Sequence, residues 1–130
     1  MKRIVTGILS MFFVMCAAVL LDTPAEAANI QGEYTTNTTW TSDNKGTGVV
    51  TVTGSDPDNP VVITVDGTVT VDYTITIKGY VKFVGTNNAV LKETGAGTWI
   101  KCDPDSDVQL TIEGISFKGP GTSGHTCIYS

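Results

Sequence analysis

Arginine is missing after Arg3, histidine occurs once, at His125, and only 16% of the 130 residues carry charge. One histidine cannot build a histidine-based metal cluster, and neighbouring strands cannot assemble a Ser-His-Asp set around it in the usual way. Residues 28–130 hold six lysines against eleven carboxylates, a formal charge of -5. An acidic surface without basic clusters argues against nucleic acid and anionic lipid as partners. Helical periodicity is missing as well: beyond the first residues no window places apolar groups at i, i+3, i+4 and i+7, which excludes helix to a first approximation.

What is present begins with a targeting segment. Met1-Lys2-Arg3 is a positive start, residues 4–21 carry no charge, and Thr23-Pro24-Ala25-Glu26-Ala27 ends in the small-x-small pattern that signal peptidase reads. Residues 1–27 are therefore expected to be a cleavable signal peptide, with the cut after Ala27 or, second, after Ala28. An uncleaved anchor is the competing reading, because about 18 apolar residues is the lower bound for a bilayer span; Thr6, Gly7 and Ser10 dilute the run. A lipidated Cys16 fits less well, since Met15 precedes it where small residues are the rule. The mature chain would have no membrane span and would be extracytoplasmic, secreted or on the cell surface.

Residues 28–48 are rich in Thr, Asn and Gly, with Tyr34 and Trp40 the only aromatic groups, and read as an irregular lead-in or cap, with room for an edge strand. From Val49 the pattern becomes short runs of alternating β-branched residues that stop at Gly, Asp or Asn, the mark of many brief strands joined by tight corners. A unit of apolar-Thr-apolar-charge-Gly followed by apolar-x-apolar starts at Ile63, Ile75 and Leu110. Its glycine suits a corner that a Cβ would obstruct. Residues 49–130 are thus expected to be all-β and either an antiparallel sandwich or, explaining more of the pattern, a solenoid of about two to three coils. In the solenoid, 69–72, 75–78 and 81–84 would form the faces of one coil, 99–102, 108–113 and 115–118 those of the next, and 126–130 would begin a third. Face one would recur after about 30 and about 27 residues, and the glycine pattern would stack Gly79 on Gly114, Ile75 on Leu110 and Ile77 on Ile112, with Thr76 and Thr111 outward. A strand-like end at residues 126–129 without a cap suggests the N-terminal portion of a longer protein or a truncated reading frame.

The run TITIKGYVKFVG, a Gly-rich turn, WIKC, an acidic turn and LTIEGISFKG resembles the right-handed parallel β-helix repeats of bacterial surface proteins, including the polymorphic-outer-membrane-protein and pectate-lyase-like superfamily, over about residues 60–130. The resemblance implies an elongated extracellular scaffold, adhesin-like or carbohydrate-active. Trp99-Ile100-Lys101-Cys102 is similar to a Trp-Ile-Asp-His stretch of pectate lyases but has neither the Asp nor the His. With no arginine in the mature chain, the base such an enzyme needs is absent, and Trp99 becomes a packing or sugar-stacking aromatic.

Other candidates stand beside plainer readings. Asp103, Asp105 and Asp107 place carboxylates at alternate positions in one loop, either a Ca²⁺ site or a solvated acidic corner; Val108 and Gly114 occupy the positions where an EF-hand needs Gly and Glu. Asp56-Pro57-Asp58-Asn59-Pro60 reads as a turn. Cys102 and Cys127 fall near one face of consecutive coils, where either a disulfide or two buried thiols is possible. The functional expectation is a secreted or surface scaffold that binds carbohydrate or another surface protein without catalysis in this segment. The alternative is the N-terminal part of a polysaccharide lyase or hydrolase whose catalytic coils lie beyond residue 130.

Overall fold

In the computed structural model, residues 29–94, 98–119 and 126–129 are described. The expected signal peptide and its cleavage site, Cys16 and His125 lie outside them. Nine strands follow in order: β1 (Ile30–Tyr34), β2 (Thr38–Thr41), β3 (Gly46–Gly54), β4 (Val61–Val71), β5 (Ile75–Glu93), β6 (Thr98–Cys102), β7 (Gln109–Glu113), β8 (Ser116–Lys118) and β9 (Thr126–Tyr129). Every strand pair among the described residues is parallel, which replaces the antiparallel sandwich with a β-solenoid of about three turns.

Each turn has three faces. On face one, β1, β3, the start of β5, β6 and β9 stack in that order. Face two stacks β2, the first half of β4, the middle of β5 and β7. Face three stacks the end of β4, the end of β5 and β8, with Lys45 bridging to Thr70 above them. β4 bends around one corner and β5 around two, so single long strands serve several faces.

Alternation makes the core. Val50, Ile75 and Ile100 form one inward ladder; Val61, Val81 and Leu110 a second; Ile63, Phe83 and Ile112 a third; Val69, Leu91 and Phe117 a fourth. The middle rungs are sealed, with Ile75 and Leu91 at 0% exposure and Phe83 at 1%. Parallel sheets are usually covered on both sides and read as continuous apolar runs. Here the outer side meets water, so Thr and Lys alternate with Val and Ile. That alternation is also why a sandwich fits the sequence.

Within the lead-in, β1 and β2 pair with β3 and β4, and Trp40 is 1% exposed. Its ring sits edge-on to Tyr34 at 5.5 Å and to Phe83 at 5.7 Å between centroids. Such pairs add about 0.5–1.5 kcal/mol to the burial itself. The Trp40 indole N–H is buried with no hydrogen-bond partner among the described residues, a cost the aromatic packing has to offset.

The coil register differs from the expected one. Val50, Ile75, Ile100 and Ile128 share a column, so face one recurs after 25, 25 and 28 residues. Ile75 therefore neighbours Ile100 rather than Leu110, and Ile77 neighbours Cys102 rather than Ile112. Gly79 stacks on Gly54 at the corner between faces one and two, whereas Gly114 lies against Gly85 at the corner between faces two and three. Gly79 has φ +67°, and a Cβ there would be driven into the Gly54 carbonyl oxygen, so conformation and clearance both require glycine. Any corner of a three-sided coil makes the same demand. The strand-Gly-strand pattern accordingly marks corners without saying which corner.

Candidate functional site

The solvent-facing side of the solenoid is a set of columns, because each outward residue lies one strand spacing, about 4.8 Å, from its equivalent in the next turn. On face one Glu33, Thr51, Thr76 and Lys101 form such a column, and the Thr53 hydroxyl donates to Glu33 Oε1 at 3.0 Å. On face two Val62, Lys82 and Thr111 align, and Lys82 Nζ meets Glu113 Oε1 at 2.9 Å. On face three Lys45, Thr70, Lys92 and Lys118 align. Nothing in the spacing of those three lysines along the chain, 47 and then 26 residues, signals the column; the uneven length of the corners conceals it.

Two corners build shallow grooves. Ser42, Asn44, Lys45, Gly46, Thr70 and Asp72 line one of about 200 Å³. Asn88, Ala89, Val90, Gly114, Ile115 and Ser116 line a more open one of about 530 Å³. The second exists because β5 carries two extra residues at its corner: Asp66 pairs with Thr86, but Thr68 pairs with Val90. Asn87 and Asn88 take up that insertion at φ 52° and 56°, a backbone region asparagine tolerates better than most residues. Asp66 Oδ1 anchors the bulge by accepting from the Asn87 amide at 2.6 Å and the Thr86 hydroxyl at 3.1 Å.

The acidic loop after β6 is an ordered corner. Asp103 Oδ1 accepts the Asp105 amide at 3.1 Å and its Oδ2 faces Lys78 Nζ at 3.4 Å. That amide first, and Lys78 second, hold the Asp103 carboxyl below the usual aspartate range. Asp105 and Asp107 are exposed. Among the described residues no three acidic, histidine or cysteine side chains are grouped so as to hold a metal. Asp56 makes a similar turn, accepting the Asn59 side-chain amide at 3.0 Å and the Asp58 N–H at 2.9 Å, and these bonds lower its pKa in that order.

Trp99 is 3% exposed and packs against Phe117, with ring centroids 5.6 Å apart. A ring closed over in this way offers no face to a sugar, so of its two expected roles Trp99 fills the packing one. Cys102 is half-buried and carries a free thiol. The pairing of Ile100 with Ile128 sets Cys127 one residue before that rung and Cys102 two residues after it; the Cys127 side chain lies outside the described residues. Glu93 occupies an inward position beside Val71 and is 3% exposed, a burial no sequence pattern announced. Among the described residues no helix is long and apolar enough to cross a membrane. No protein-family model, curated protein or solved structure matches the chain.

Proposed function

We propose that this chain is an extracytoplasmic scaffold, exported by its N-terminal segment, that holds carbohydrate or another surface protein on the outer faces of its coils and performs no chemistry within this segment. The observation carrying this reading is the columnar outer surface: hydroxyl, carboxylate and amine groups recur at one strand spacing on a rigid apolar core, as in the Glu33, Thr51, Thr76 and Lys101 column. A repeating surface of that kind suits a repeating ligand. The resemblance of residues 60–130 to the β-helix repeats of bacterial surface proteins supports the same role, and within it the departure of Trp99-Ile100-Lys101-Cys102 from the lyase stretch favours binding over turnover.

The test is to incubate the exported chain with a panel of immobilised and soluble polysaccharides, measuring retention and product formation together. Retention on at least one polymer with no new reducing ends or unsaturated products is the expected result. Release of such products by this chain alone would overturn the scaffold reading.

A further inference from the structure

Half of the lysines in residues 28–130 stand in one column. Of Lys45, Lys78, Lys82, Lys92, Lys101 and Lys118, the register aligns Lys45, Lys92 and Lys118 with Thr70 on face three. The other paired outward residues of that face are Thr68, Val90 and Ser116, and the nearest carboxylates, Asp43 and Asp72, stand at the two corners that flank Lys45. Of the other three, Lys78 meets Asp103 at 3.4 Å, Lys82 meets Glu113 at 2.9 Å, and Lys101 stands on face one, in the column that contains Glu33. Asp72, at the adjoining corner, accepts the Thr94 hydroxyl and shares the smaller groove with Lys45. Lys92 and Lys118 are direct neighbours on adjacent strands, an arrangement that is unfavourable until an anion lies between or above them.

We propose that face three binds an acidic glycan laid along the solenoid axis, its anionic groups against Lys45, Lys92 and Lys118 and its hydroxyls against Thr68, Thr70, Ser116 and the two corner grooves. This rests on the carbohydrate-binding reading above and assigns it a face and a ligand class. Three further observations narrow the class. The chain is otherwise acidic, with a formal charge of -5, so a polyanion is repelled from most of the surface and steered to this stripe. Lysine ammonium groups act as point charges without the planar fork of arginine, so they match charge spacing rather than a particular anion shape. No aromatic side chain stands among the outward residues of the face, so the stacking platform that holds single-stranded nucleic acid is missing there. The polar linings, including Ser42, Asn44 and Thr70 on one side and Asn88 and Ser116 on the other, suit a hydroxyl-rich chain.

The experiment titrates the exported chain with a polyuronate, a sulfated glycan, a neutral mannan and double-stranded DNA at low and high salt. Binding of an acidic glycan that weakens as salt rises is expected, and the polyuronate and sulfate arms tell which anion the lysines read. Replacing all three residues (Lys45→Gln, Lys92→Gln, Lys118→Gln) should weaken that binding about tenfold, three exposed ion pairs each contributing a factor of roughly 1.4 to 5. Lys101→Gln, on face one, should leave it unchanged. An unaltered affinity in the triple variant, or equal binding of DNA, overturns the proposal. Binding of mannan that ignores the lysines removes the face-three assignment while leaving the scaffold reading intact; retention of no glycan at all removes the carbohydrate branch with it.

Discussion

At the scale of single residues, inward and outward positions along one strand do different work. Ile77 is 0% exposed and sits between Val52 and Cys102, while Thr76 between Thr51 and Lys101 faces water. Removing buried methylenes loses transfer free energy and leaves a cavity, so Ile77→Ala should cost about 2–5 kcal/mol. Thr76→Ala should stay within about 0.5 kcal/mol, the range of surface changes away from special features. Urea unfolding followed by circular dichroism would measure both. Similar costs for the two would mean that Ile77 does not point into the core. The alternation that separates them is readable in the residues 75–77 themselves. The burial of Glu93 is not, because a carboxylate there reads as the polar end of a strand, and its enclosure comes from pairing with Val71 in the turn before.

At the scale of elements, the corners decide the register. Equivalent glycines at 67, 79 and 114 look alike in sequence, yet Gly79 turns from face one to face two and Gly114 from face two to face three. The loops between them differ in length, from the bare turn at Gly79 to residues 55–60 after Gly54 and 103–108 after β6. A constant period therefore fails even though strands and corners are individually legible. Proximity tests this directly. In a background with Cys102 and Cys127 replaced by serine, cysteines at Thr51 and Thr76 should crosslink at neighbouring-strand distance, whereas cysteines at Thr76 and Thr111 should not, since Thr111 pairs with Lys82 on another face. A crosslink in the second pair would restore the Gly79-on-Gly114 register and displace the one described here.

At the scale of the whole molecule, burial falls from the middle turns toward the last. Ile75 and Ile100 are sealed at 0% exposure, Leu110, Ile112 and Phe117 are half-buried, and Ile128 in the same column as Ile75 is 43% exposed. Each rung is covered only by its neighbours, as in any one-dimensional stack. The role proposed for the molecule also depends on export, and expression in a secreting host should give a product that begins at Ala28 or Asn29 on N-terminal sequencing; a product keeping Met1 would make residues 4–21 an anchor. The strand content, the absence of helical periodicity, the corner glycines and the in-out alternation were all determined by the sequence, because each depends on residues within one strand or one turn. Parallel pairing, the 25-residue register, the closure of Trp99 against Phe117 and the column of Lys45, Lys92 and Lys118 were decided only by the tertiary structure. They join residues 16 to 47 positions apart, and the spacing between those residues is set by corner loops whose lengths follow no period.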